Sequence, residues 1–386
     1  MKPNFNDNNN SEEITLTQKN NKLNKNKKER NSSFELLRII VITLIVLHHI
    51  YINTQSLMKL SKNNYYYLLT WKYILLKIIS NYGQFGNNVF IMISGYFSIS
   101  KTSFNLNKFL IILFQIYTYY YPSLYIDKKI RTINKSFKMR DYSNIYLYFP
   151  LLTRHGNWFI QIYLLFLIFT PFINTGLLSL NKNKYKNLVI LIIIFYCILN
   201  PIDNYFNFES IIFATTHFIR LLLSYIIGGY INLYDLEYKY FWIMIGKFYF
   251  IITILSEIIF DKLALHYKNY NFVLIKTFLS FNINSLISVL GSIGLIYLFK
   301  NINFYNKKIN WIAASVLGIY LIHGNKNLSP YIYNVWFKTD NINDSLFFVK
   351  YIIKGMIIIS VSIIIDLIRR YTLGMLFIKL LTKIKK

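Results

Sequence analysis

The chain has 386 residues, 54% of them hydrophobic, with 34 Tyr and 32 Phe and a mean hydropathy of +0.35. That composition excludes an ordinary soluble domain and predicts an all-α fold, a polytopic transmembrane helical bundle. The net charge of +27 invites a nucleic-acid reading. The basic residues lie in tails and short inter-helical runs, however, where they suit anionic lipid head groups and topology control, so no nucleic acid is expected as a partner.

Residues 1–33 are rich in Asn and Lys and show no apolar periodicity. They read as a disordered basic cytoplasmic tail. A signal peptide does not fit, because the apolar stretch starts late and is longer than a signal core. From 34 to 370 the chain reads as one membrane domain, and 371–386 as a second basic cytoplasmic tail. About ten spans are expected, near 34–54, 83–99, 107–126, 157–176, 186–200, 209–231, 241–260, 276–299, 311–325 and 346–368. Residues 65–80 carry Lys72 and Lys77 among apolar neighbours and read as an interfacial amphipathic helix.

Ten spans place both termini on one side, and the Lys and Arg residues of both tails put that side in the cytoplasm of a cell-membrane protein. Lys182, Lys184, Lys186, Lys300, Lys307 and Lys308 also fall inside. The loop 127–154 runs against the rule. It holds Lys128, Lys129, Arg131, Lys135, Lys138, Arg140 and Arg154 on the outer side of this topology.

The first span, FELLRIIVITLIVLHHIYIN, carries Arg38 near one end and His48–His49 near the other. Ionisable groups in a spanning helix are costly and mark candidate functional positions. Eleven residues separate Arg38 from His49, which returns to within about 20° of the starting direction about 16 Å further along. His48 points about 80° away. Arg38 and His49 therefore share a face and address opposite ends of one cavity. Arginine suits a phosphate-bearing ligand and imidazole suits general-base work. The plainer reading is that Arg38 snorkels to the interface and His49 lines the other one.

Three later segments carry polar groups into apolar surroundings. GNNVFIMISGYF (86–97) contains Asn87, Asn88 and Ser94, candidates for sugar hydroxyls or, for Ser94–Gly95, for close helix packing. RHGNWF (154–159) sets His155, Asn157 and Trp158 at the mouth of the fourth span, where a Trp also suits an interfacial belt. SVLGIYLIH (315–323) ends on Tyr320 and His323. No phosphate-binding glycine loop, nucleophile elbow or His-Glu-x-x-His zinc helix is present. The lone Cys197 excludes a disulfide framework or a cysteine metal site within the chain.

In order and spacing these segments resemble acyltransferase family 3, the integral-membrane O-acyltransferases of bacterial surface polysaccharides. That family's first span has Arg and, after ten intervening residues, His, here Arg38 and His49. Its second span is matched by Gly86, Asn88, Phe90, Ser94, Gly95 and Tyr96, its fourth-span opening by His155, Trp158 and Phe159, and its late Tyr-Leu-Ile-His by Tyr320–His323. The shape of the Ser-Gly-Tyr-Phe stretch is closest to the capsule and intercellular-adhesin O-acetyltransferases. Asn88 stands where the family usually has Asp, and Lys101 and Lys108 are the only basic groups in the loop after the second span.

The resemblance implies transfer of an acyl group, usually acetyl, from acyl-CoA to a glycan hydroxyl, with acetyl-CoA as donor substrate and no permanently bound cofactor or metal. It implies His49 as base or acyl relay and Arg38 as the donor-positioning group, aided by Lys101 and Lys108. Asn88, Ser94, His155, Trp158, Tyr320 and His323 would line the acceptor side. The partners implied are the acyl donor, the glycan and the bilayer. A transporter or flippase of lipid-linked glycans, or a membrane oligosaccharide polymerase, is the alternative. Inverted repeats and paired intramembrane acids, which a transporter would favour, are missing.

Overall fold

The computed structural model describes residues 31–53, 71–134, 137–138, 140–151, 157–199, 217–267, 285–337 and 344–384. Among them there is no strand. The long helices are α1 (Ser32–Asn53), α2 (Trp71–Ser98), α3 (Leu106–Ile133), α4 (Trp158–Leu178), α5 (Lys182–Ile193), α6 (His217–Leu233), α7 (Lys239–His266) and α8 (Leu286–Asn301). A broken pair follows, α9 (Lys307–Ala313) and α10 (Val316–His323), and then α11 (Phe347–Arg369) and α12 (Met375–Ile384).

Every expected span has a helix, and the chain is an all-α membrane bundle. The beginnings of the sixth and eighth spans, 209–216 and 276–284, lie outside the described residues, as does the tail up to residue 30. Among the described residues, five helical stretches are long and apolar enough to cross a bilayer on their own: Ser32–Asn53, Leu106–Ile133, Trp158–Leu178, Lys239–His266 and Phe347–Lys383. The separate interfacial helix expected at 65–80 is not separate. From Trp71 the chain runs without a break into the second span as the 28-residue α2, about 42 Å long and so longer than the bilayer core. The apolar period simply continues across Gly83. The last span likewise continues through a wider turn at Arg370–Gly374 into α12.

The centre of the bundle is α1, which packs on α2, α8, α9, α10 and α11. Leu37, Val41, Ile42 and Val46 on it are wholly buried. Between lipid-solvated helices water provides no hydrophobic drive, so close approach and polar contacts hold them together. Gly228 of α6 illustrates the first. A Cβ there would lie 2.1 Å from the carbonyl oxygen of Met92 on α2, and one at Gly95 would lie 2.1 Å from that of Tyr225. The two backbones meet because neither residue has a side chain. Polar ties fix the start of α1: Ser32 N–H donates to Phe304 O at 2.9 Å, and Ser32 Oγ donates to Asn310 Oδ1 at 2.9 Å.

A second tie sets the broken helix. Asp366 of α11 is buried and accepts from Tyr119 Oη at 2.5 Å and Gln115 Nε2 at 3.3 Å, both on α3. It also pairs with Arg369 at 2.9 Å and Arg370 at 3.2 Å. Arg370 then donates to Ser315 Oγ at 3.0 Å, at the break between α9 and α10. The short ninth span is thus a helix interrupted at a charged anchor. Its second half, α10, is aimed toward the far end of α1 and carries His323 there.

Candidate active site

Arg38 opens on a cavity of about 1100 Å³ at the N-terminal end of α1. It pairs with Glu35 one turn earlier, and its guanidinium lies over the Phe97 ring, 5.8 Å from the centroid. Phe97 and Tyr96 in turn pack on Phe34, at 5.0 and 5.2 Å between centroids. The expected Lys101 and Lys108 line the same cavity, with Ser94 and Lys300. Lys108 sits there because Asn105 caps α3, its Oδ1 accepting from Lys108 N–H at 2.9 Å. Lys300 comes from the far end of α8, held by Asp235 at 3.0 Å. The lining thus carries four cations and one carboxylate among aromatic rings. Burial, and then the charge of Lys108, pulls the Lys101 ammonium below its ordinary value, so an anion bound between the two lysines relieves a real cost.

At the other end of α1 stands the imidazole group. The His49 ring lies 4.9 Å from that of His323, centroid to centroid. His323 is wholly buried. Its Nδ1 is 2.5 Å from the carbonyl oxygen of Ile319, which can only accept, so in the neutral ring the proton sits on Nδ1. Nε2 is left as a buried lone pair without a hydrogen-bond partner among the described residues. Tyr320 packs edge-on against His323 at 5.8 Å and donates through its hydroxyl to Asn157 Oδ1 at 2.9 Å. Asn157 caps α4, accepting from Phe159 N–H at 3.1 Å. Trp158 follows it and meets Phe159 edge-on at 5.9 Å. A side chain at Gly324 would begin 3.8 Å from His49 Cε1, which brings α1, α4 and the end of α10 to one point.

His48 goes elsewhere, as the helical period requires. It is buried against α2 at Gly83, where a Cβ would collide with its own at 2.0 Å. Of the other expected residues, Asn88 is 1% exposed and accepts from Ser224 Oγ of α6 at 3.1 Å. It ties two helices together and is not among the residues that line the Arg38 cavity. Ser94 lines the cavity while bonding back to Phe90 O at 3.0 Å. His155 lies outside the described residues.

Glu35 and Lys300 are residues at these sites that the sequence did not single out. Glu35 was legible, since an acid three residues before an Arg on a helix faces it. Asn157, a candidate at the mouth of the fourth span, meets Tyr320 of α10. Lys300 was read as a topology charge, and nothing in its surroundings distinguishes it. Asn87 has a buried Oδ1 without a hydrogen-bond partner among the described residues. It shares a face of α2 with Ile91 and Ser94, at spacings of four and seven, and both of those line the cavity. Asn87 lies one turn further toward the His49 end.

The all-α bundle thus has a basic cavity at one end of its central helix and a pair of imidazoles toward the other. The chain matches the acyltransferase domain family over residues 31–367. It belongs to that family, the acyltransferase family 3 that its motifs resemble, and is a membrane acyltransferase. No curated protein and no solved structure matches it.

Proposed function

We propose that this acyltransferase moves an acyl group, in the first place acetyl, from acyl-CoA to a hydroxyl of a cell-surface or lipid-linked glycan. The observation that carries this reading is the polarity of α1: a large basic cavity at Arg38 and an imidazole pair about 16 Å further along the same helix. Coenzyme A is an anion with a long neutral arm. Its phosphates suit Arg38, Lys101, Lys108 and Lys300, and its adenine suits the Phe97 and Tyr96 rings. The arm carries amides, and Asn87 Oδ1 offers an acceptor on the way to His49.

In this mechanism His49 takes the proton of the glycan hydroxyl as its oxygen attacks the thioester carbonyl carbon. The C–O bond forms, the C–S bond breaks, and the proton goes on to the sulfur that leaves. Imidazole suits both transfers because its ordinary pKa is near neutrality. The lone pair on His323 Nε2 faces the same space and accepts from a bound hydroxyl or from protonated His49. Tyr320, Asn157 and Trp158 shape the acceptor side.

The Arg38 end is the cytoplasmic end on this reading, which places both termini inside a plasma membrane. The end-of-helix cations support it: Lys186 pairs with Glu237 at 3.2 Å, and Lys300 with Asp235, on the same side as Arg38. The test is reconstitution of the full chain in liposomes with labelled acetyl-CoA and a cell-surface glycan extract. Label in the glycan is expected. A flippase or polymerase would leave the thioester untouched, and glycan without label in the presence of intact enzyme refutes the proposal.

A further inference from the structure

The end of α3 and the segment after it carry the run of cations that the expected topology sets outside, and the fold organises them. Asp127 is wholly buried. Its Oδ1 accepts from Arg131 Nε at 2.7 Å and Tyr331 Oη at 2.6 Å. Its Oδ2 accepts from Tyr142 Oη at 2.8 Å and Arg140 Nη1 at 3.3 Å. One carboxylate therefore organises two guanidiniums and is saturated by its four donors. Burial and the bond to Asp127 push the Tyr142 phenol up to about 12, so it stays a neutral donor and cancels no positive charge.

This cationic knot is continuous with the imidazole site. Arg140 Nη1 also donates to Asn327 Oδ1 at 2.9 Å, four residues past His323. A small cavity of about 30 Å³ is lined in part by Asn157, Asn325 and Lys326. Lys128 lies over the Tyr142 ring at 5.9 Å. Lys128 and Lys326 are both solvent-exposed. Lys128, Arg131, Arg140 and Lys326 thus lie at the rim of the acceptor end, with the saturated Asp127 and the exposed Asp141 as the nearby carboxylates in sequence. Keeping cationic residues on a translocated loop works against topology, and a folded network that holds them at the rim offers an anion a place to bind.

Resting on the acyltransfer reading, we propose that the acceptor is an anionic glycan, docked through its negative group on the rim formed by Lys128, Arg131, Arg140 and Lys326. The negative group is either a carboxylate in the glycan repeat or the diphosphate of a lipid carrier. The two share charge and oxygen acceptors, which Arg and Lys bind alike.

The test uses the full chain in nanodiscs of zwitterionic lipid with labelled acetyl-CoA. Three acceptors of one backbone are compared: a neutral oligosaccharide, the same with a uronate in each repeat, and the neutral form on a polyprenyl diphosphate. One or both anionic acceptors should be acylated at least tenfold more efficiently than the neutral one, and raising the salt should erode that preference. The arm that wins identifies the source of the charge. Lys128→Gln with Lys326→Gln should raise the KM for the anionic acceptor about two- to fivefold per charge and leave the donor KM in place. Lys350→Gln, at an exposed pair with Asp344, is the control and should change neither. Equal, salt-independent acylation of the neutral and anionic acceptors overturns the proposal while leaving acyltransfer standing. No label in any acceptor fells the acyltransfer reading and this proposal with it.

Discussion

Replacing His49 separates chemistry from packing most cleanly, because its neighbour provides the contrast. In His49→Ala the positioned base is lost. His323 is 4.9 Å away between centroids with its Nδ1 committed to Ile319 O, and its Nε2 does not occupy the place of the ring removed at 49. Loss of a positioned general base costs about 10²- to 10⁴-fold in rate. Arg38 is about 16 Å away along the helix, so the KM for acyl-CoA should stay within about twofold of wild type. His49 is partly exposed, so the truncation should lower stability little. His48→Ala should behave in the opposite way. His48 is buried against Gly83, and removing its ring from a packed interface should cost about 1–3 kcal/mol and lower the thermal midpoint while the surviving enzyme keeps its kcat. The assay is acetyl transfer at saturating donor, with the midpoint read in the same detergent. Wild-type transfer by His49→Ala, or a rate loss confined to His48→Ala, would refute the assignment of the face.

Three further outcomes follow from the geometry. Lys101 is held below its ordinary pKa by burial and by Lys108, and a bound anionic donor favours its charged form. Donor affinity should therefore be full below that lowered pKa and fall as pH rises through it, and Lys101→Arg should move the alkaline limb of the donor KM profile upward. Asn87→Leu should raise the donor KM with little change for the acceptor, since the buried Oδ1 lies on the cavity face; steady-state kinetics with both substrates varied would show it, and an unchanged donor KM would exclude Asn87 from the arm's path. Gly228→Ala puts a Cβ 2.1 Å from Met92 O, so α2 and α6 must separate. A loss of about 1–3 kcal/mol, seen as a lowered thermal midpoint, is expected.

Much of the candidate site is legible in the sequence because it lies on single helices. Arg38 and His49 share α1, and the 3.6-residue period alone separates His49 from His48. Lys101 and Lys108 follow from the family resemblance, as the basic groups of the loop after the second span. The period failed at Asn88, whose position in a motif said nothing of its neighbour. Its partner Ser224 lies 136 residues away, and only the packing of α6 on α2 brings them together. Residues 71–80 misled for a related reason. Lys72 and Lys77 suggested an interface, yet Lys72 donates to the backbone oxygen of Asp344 at 2.9 Å, a contact 272 residues apart that satisfies its charge at the end of α2.

By itself the sequence determined what depends on local composition: the membrane class, the approximate spans, the family and the two ends of α1. The hydrophobic length of a segment and the period of a helix are properties of neighbouring residues, so no fold is needed to read them. What the tertiary structure decided is which distant groups share a space. Lys300 reaches the Arg38 cavity from the end of α8, Tyr320 and Asn157 meet across 163 residues, and Asp127 gathers Arg140, Tyr142 and Tyr331 into one knot. Those meetings depend on helix crossings, where small residues let backbones touch and buried charges find partners, and no local pattern in the chain encodes them.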